Sequence, residues 1–216
     1  MVKVLVVGAN GQIGKQVVEL LKESKEHTPR ALVRKTDQAD AFQQAGVEAV
    51  VADLEGSVDD IAKAAEGCDA IVFTAGSGGH TGADKTLLVD LDGAVKTMEA
   101  AQQKGIDRYV MVSAFQANNR ENWNEKIRHY YVAKHYADKE LERSGLTYTI
   151  VRPGGLTNEP GTGKIAVGGQ LAYRTTISRA DVAKTVFACL DDEKTYRQSF
   201  DVVAGDEDIE SALGSL

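Results

Sequence analysis

Tyr130 and Lys134 stand four residues apart in the run His129-Tyr130-Tyr131-Val132-Ala133-Lys134. Residues at that spacing share one face of a helix, so a phenol and an ammonium can point together into one cleft. A cation beside a tyrosine stabilises the phenolate, and the spacing leads us to expect a Tyr130 pKa below the reference value near ~10. Ser113 closes the apolar run Val110-Met-Val-Ser113 and offers a hydroxyl to orient a substrate oxygen. The three groups together suit proton donation to an oxyanion that develops during reaction. Tyr131 adds a second phenol to the helix, but only Tyr130 lies one turn before Lys134. A tyrosine four before a lysine is common by chance, so the pair gains meaning only from what accompanies it.

What accompanies it is a phosphate loop. Val4-Leu-Val-Val7 runs into Gly8-Ala-Asn10-Gly11-Gln12-Ile13-Gly14, and an amphipathic stretch follows. Glycines three apart at a strand-to-helix turn have separate jobs: the first permits the tight turn, the second lets backbone approach a pyrophosphate, and the third lets helix pack on sheet. The helix N-terminus then offers unpaired N–H groups and a positive dipole end. A plain connecting turn is the bland alternative, and the strand–turn–helix context argues against it. The second apolar run ends at Arg34-Lys35, where a carboxylate would serve the ribose hydroxyls of NAD. Two cations there favour the 2′-phosphate of NADP(H), unless Arg34 is simply a solvated strand-end charge. Asp53 and Leu54 follow the third run, either beside the adenine or as an ordinary turn. Thr74-Ala75-Gly76, after the fourth, gives small residues along the path to the nicotinamide, or merely a glycine-rich loop.

The rest of the chain supplies the frame. Apolar runs at Lys3–Val7, Arg30–Val33, Val47–Val51, Ala70–Ala75, Tyr109–Val112 and Thr147–Val151 alternate with helix-length segments near Gly11–Glu23, Gln38–Ala45, Val58–Glu66, Leu87–Lys104 and Tyr131–Arg143. Such alternation predicts a single-domain, doubly wound parallel α/β sheet in the order 3-2-1-4-5-6, extended by a seventh strand at Ser199–Val203, with helices on both faces. Ser57 is placed to cap toward Asp60, Gly105 and Gly145 to stop helices, and Ser178 to start a helix through Asp181. Lys164–Val167 and Gln170–Thr176 read as a hairpin or flap around Gly168-Gly169, and Asp208–Leu213 as a final helix. Residues 118–127 and 154–176 are the expected substrate side.

Composition narrows the function. The chain has 216 residues, 43% of them hydrophobic, which suits one core. A net charge of −7 without a basic block argues against nucleic acid. No apolar run approaches a bilayer span, and the first residues read as a strand rather than a signal peptide, so a cytoplasmic monomer or weak homodimer acting on a small molecule is expected. The two cysteines, Cys68 and Cys189, read as buried apolar residues. His80, His129 and His135 lack partners at ligand spacing, so no metal is expected. Trp123, in a polar loop, either covers a ligand or anchors the loop.

On these motifs the chain resembles the atypical, extended-like short-chain dehydrogenase/reductase family, in particular its small epimerase/dehydratase-like and NAD(P)H-binding reductase members. The resemblance rests on Gly8, Gly11, Gly14, Arg34, Asp53, Ser113, Tyr130, Lys134 and Arg152-Pro153-Gly154, and extends to Val89–Gly93 and Ile177–Ala183. It implies Ser113, Tyr130 and Lys134 as the catalytic trio. It further implies Lys134 on the nicotinamide ribose, with Ser113, Pro153 and Gly154 completing the cofactor side. The interval from Ser113 to Tyr130 is longer than the family's usual spacing, with Asn118–Trp123 as an insertion. The segment after Pro153 is shorter than the substrate domain of sugar-nucleotide epimerases. The expected activity is therefore NADP(H)-dependent reduction of a small carbonyl, quinone or flavin-like acceptor. The rivals are a non-catalytic NADP sensor, like the nitrogen-metabolite-repression regulators, and a sugar-nucleotide epimerase or dehydratase.

Overall fold

The computed structural model describes every residue except His80, Gly169, Gln170 and 172–175. Strand β1 (Val2–Val7) explains why the opening apolar run is unbroken. Val4, Leu5, Val6 and Val7 are all fully buried, with Val4 and Val6 in one core and Leu5 and Val7 in another. A strand covered on both faces needs apolar residues at every position. The first core is closed by α1 (Gln12–Glu23), α2 (Thr36–Gln44) and, later, α7 (Arg179–Ala188). Helix α1 contributes Ile13, Val17, Val18 and Leu21 at three- and four-residue steps. Each such side chain removed from water is worth roughly 1.5–3 kcal/mol.

The second core lies under α3 (Val58–Ala65), α5 (Gly93–Lys104) and α6 (Arg128–Arg143). Between these helices run β2 (His27–Val33), β3 (Glu48–Val51), β4 (Ala70–Phe73), β5 (Arg108–Val112) and β6 (Thr147–Pro153). Ser57 Oγ accepts the Asp60 N–H at 3.2 Å and starts α3, while Gly105, at φ 67°, stops α5 in the left-handed conformation that glycine adopts cheaply. A short turn, α4 (Ala83–Lys85), enters α5 through a π-helical stretch over Thr86–Asp92.

The sheet order is β3-β2-β1-β4-β5-β6-β10, all pairs parallel, where β10 (Gln198–Ala204) is the expected seventh strand. Beyond it the structure departs from expectation. Strand β8 (Lys164–Gly168) pairs antiparallel with β10, and β11 (Glu207–Asp208) pairs with β8, ahead of helix α8 (Ile209–Leu213). The hairpin expected between Lys164–Val167 and Gln170–Thr176 is thus corrected on its first strand, whose ladder goes to the sheet edge. Of the second strand, Gly169, Gln170 and 172–175 lie outside the described residues. Thr176 opens β9 (Thr176–Ser178), which pairs parallel with β7 (Gly155–Thr157). Alternation along a strand marks its faces but carries no information about which edge will accept it.

Candidate active site

The ends of β1, β2, β3 and β4 open a cleft of about 330 Å³ at the point where strand order reverses. Gly8 sits at φ 81°, and a Cβ on it would stand 2.6 Å from the Ala75 Cα. A Cβ on Gly14 would run into the Gly8 carbonyl oxygen and lie 2.9 Å from the Ala9 Cα. Both glycines are therefore required by backbone approach, and α1 begins directly over the turn. Gly11 occupies its N-cap without any side-chain cap, so the first-turn amides are left facing the cleft mouth. Thr74 closes the floor, donating from its N–H and its hydroxyl to the Val7 carbonyl at 2.9 and 3.0 Å.

Most of the residues expected on the cofactor side meet here. Gly8, Asn10 and Gly11 line the cleft from β1, Arg34 from β2, Asp53 and Leu54 from β3, and Thr74, Ala75 and Gly76 from β4. Arg34 is exposed and has no ion-pair partner among the described residues. Asp53 is a turn residue whose Oδ1 accepts the Glu55 N–H at 2.9 Å, and it also lines the cleft. Gln12 is exposed at the helix start, Ile13 and Gly14 are buried beneath it, and Lys35 is exposed beside Arg34. Gln38 and Ser77, positions that the sequence reading gave no role, also line the cleft, as does Val89 from the stretch Val89–Gly93.

Ser113 and Lys134 are brought together on the deeper side. Lys134 is buried on α6 and donates from Nζ to the Val112 carbonyl at 2.8 Å, immediately before Ser113. Ser113 is buried, its N–H donates to the Val151 carbonyl at 2.7 Å, and its Oγ has no partner among the described residues. Tyr130, one turn earlier on α6, is half-buried with its ring edge-on to Tyr131 at 6.0 Å. Pro153 and Gly154 are buried where β6 ends, and the Gly154 N–H donates to the Val202 carbonyl.

The electrostatics differ from the expectation for Tyr130. Burial, and then the Asp90 carboxylate, hold its phenol above the ordinary tyrosine value, so the group is a neutral acid at physiological pH. Lys134, one turn further along α6, directs its ammonium at the Val112 carbonyl at 2.8 Å. Burial also pulls Lys134 below the usual lysine value, against the opposing pull of Asp90 and Asp138. Asp90 belongs to the Val89–Gly93 stretch of the family resemblance, which assigns it no role. It is buried in the π-helical stretch, and its Oδ2 accepts the Ser77 N–H at 2.9 Å. A π-turn at this point of a helix is itself a common mark of a functional site.

The insertion at 118–123 folds back on the body. Trp123 is buried, donates from Nε1 to the Ala117 carbonyl at 3.2 Å and stacks on Tyr131 at 6.0 Å. It anchors the loop. His129 is exposed, His135 donates from Nδ1 to the Ala117 carbonyl at 2.8 Å, and His80 lies outside the described residues. Glu26, His27 and Asp191 converge at the opposite end of the sheet. There His27 is already paired, to Ser24 Oγ through Nδ1 and to Asp191 through Nε2.

The fold and cleft define an NAD(P)-binding protein of the Rossmann type. A sequence profile of the NAD(P)H-binding family matches residues 8–193, and the chain belongs to that family. It is 61% identical over 214 residues to a Bacillus subtilis (strain 168) protein named as the uncharacterized sugar epimerase YhfK, covering 99% of this chain and 100% of that one. A Bacillus halodurans structure, provisionally assigned as an NAD-dependent epimerase/dehydratase, superposes with a TM-score of 0.94 at 43% identity over 100% of both chains. The oxidoreductase ylbE from Lactococcus lactis follows at 0.89 and 32%, covering 99% and 96%. No described helix is long and apolar enough to cross a membrane.

Proposed function

We propose that this protein is an NADP(H)-dependent oxidoreductase that reduces a small carbonyl, quinone or flavin-like acceptor. The observation that carries the reading is Lys134 on the Val112 carbonyl together with the adjacent buried Ser113 hydroxyl, which has no partner among the described residues. A buried hydroxyl without a partner costs about 1–3 kcal/mol, a cost that an acceptor oxygen at this position would relieve. The cofactor fits the residues present. The cradle at Gly8 and Gly14 has no room for a Cβ, the α1 amides have no side-chain cap, and Arg34 is an exposed cation without an ion-pair partner among the described residues. When bound, NADPH supplies the hydride.

The chain's own groups do the rest. Gly11 and the α1 N-terminus, with Asn10, Gln12 and Ile13 around them, hold the pyrophosphate. Arg34 forks onto the 2′-phosphate with Lys35 adding charge, while Asp53 and Leu54 flank the adenine. Thr74, Ala75, Gly76, Pro153 and Gly154 border the nicotinamide end. Ser113 orients the acceptor oxygen. Tyr130, kept neutral by burial, donates the proton that the reduced oxygen requires, and Lys134 fixes the ribose and the local positive potential.

The test follows NADPH absorbance against a panel of carbonyls, quinones and flavins. Tyr130→Phe is expected to slow turnover about 10²- to 10⁴-fold with NADPH affinity nearly intact, whereas Lys134→Ala impairs both. Full turnover by the Tyr130→Phe protein would refute the mechanism. The Bacillus subtilis relative's name favours a second reading, a sugar epimerase, in which hydride returns to the substrate. Sugar turnover without net NADPH consumption would establish that reading instead.

A further inference from the structure

We propose that Gln116 is a positioning residue for the acceptor: its amide ties the 119–127 loop to the Leu171 carbonyl and so sets the wall beside Tyr130. This rests on the reading of Ser113 and Tyr130 as the groups that handle the acceptor oxygen. After Ser113 the chain stays alongside β6, with the Phe115 N–H donating to the Pro153 carbonyl at 3.1 Å. At Gln116 it turns sharply through φ 53°, a left-handed conformation that a residue with a Cβ adopts at a cost and glycine does not. Gln116 is buried, and its N–H donates to Asp201 Oδ1 at 3.0 Å. That carboxylate, fully buried on β10, fixes the backbone at the turn.

Both ends of the Gln116 amide are used. Nε2 donates to the Leu171 carbonyl at 3.2 Å, and Oε1 accepts from Asn122 Nδ2. The next carbonyl, that of Ala117, accepts from Trp123 on the loop and from His135 on α6. Trp123 then stacks on Tyr131, whose ring meets Tyr130. A short path of contacts therefore runs from one buried amide to the proposed proton donor. The side-chain type is specific to this work: asparagine is one methylene too short to span the two partners, glutamate lacks the N–H that Leu171 accepts, and glycine would relieve the backbone while releasing both segments. Strain kept at a buried residue beside a proposed site, when glycine would remove it, points to the side chain as the reason it is kept.

Gln116→Gly tests this because it suits the backbone and should fold. Amide exchange over 119–127 should accelerate about tenfold or more, and Trp123, the protein's one tryptophan, should shift its emission to the red. NADPH affinity should stay within about twofold, while KM for whichever of 2-methyl-1,4-naphthoquinone, FMN or benzaldehyde the unmutated protein reduces should rise about fivefold or more with kcat little changed. Unchanged exchange in 119–127 would overturn the role of Gln116 and leave the oxidoreductase reading standing. Faster exchange with an unchanged KM would overturn it too, reducing Gln116 to a structural bond. An unmutated protein that binds NADPH but reduces none of the three probes would overturn the acceptor role together with the reading it rests on.

Discussion

Replacing Asp201 by asparagine should stabilise the protein above pH 6 and leave it nearly unchanged at pH 4. Asp201 is fully buried; Oδ1 accepts the Gln116 N–H, and Oδ2 has no partner among the described residues. Burial pushes its carboxyl up from the ordinary 3.8 to about 6, even though the Gln116 N–H and the Arg152 guanidinium favour the charged form. The folded chain thus holds this proton more tightly than the unfolded chain does. Between pH 4 and 6 the unfolded carboxyl ionises first, so wild-type stability falls as pH rises, and above about pH 6 the loss is complete. A displacement of about two pH units corresponds to a ceiling of about 3 kcal/mol. Asparagine keeps the oxygen that Gln116 needs but buries an amide nitrogen near Arg152, so a net gain of about 1–2 kcal/mol is expected at pH 7.5. For a chain of this length that is a rise in melting temperature of about 2–8 °C. Urea unfolding of both proteins at pH 4 and pH 7.5 reads the difference directly. A stability difference equal at the two pH values, or a less stable variant at pH 7.5, would refute the argument.

The cofactor loop and the cation at the end of β2 give two further expectations. Gly8→Ala sets a Cβ 2.6 Å from backbone at a positive φ and should lower the melting temperature, whereas Gly11→Val points into the cleft, with only the Gly8 carbonyl oxygen near at 3.2 Å. Gly11→Val should therefore keep its circular dichroism and melting temperature but lose NADPH in titration, and normal binding would make the loop a plain turn. Arg34→Ala should remove most of a preference for NADPH over NADH, on the order of 1.5–3 kcal/mol, in parallel calorimetric titrations. Equal affinities in the unmutated protein would refute the 2′-phosphate role.

The central strands could be read from sequence because burial on both faces forces continuous apolar runs, as at Val4–Val7 and Ala70–Phe73. The caps at Ser57, Gly105 and Ser178 could be read because their chemistry is local. Helix α6 starts three residues before the first periodic signal, since Arg128 and His129 face solvent and contribute nothing to an apolar pattern. For the opposite reason, the inward placement of Asp90 could not be read. An acidic residue in an amphipathic stretch reads as solvent-facing, and only the π-turn and the Ser77 N–H draw it inside. Pairing of β8 with β10 and the amide of Gln116 between distant segments are tertiary choices that no local pattern encodes. The Tyr130–Lys134 pair marks the boundary between the two kinds of information. A four-residue spacing fixes a shared helix face, but the acceptor a lysine chooses depends on what the sheet presents to it, and here β5 presents the Val112 carbonyl. Burial leaves the Tyr130 phenol neutral, and the contact with the Val112 carbonyl sets the ammonium next to Ser113 along the chain. That arrangement suits a tyrosine that gives a proton in reduction, and the reverse oxidation would first require the phenol to lose one.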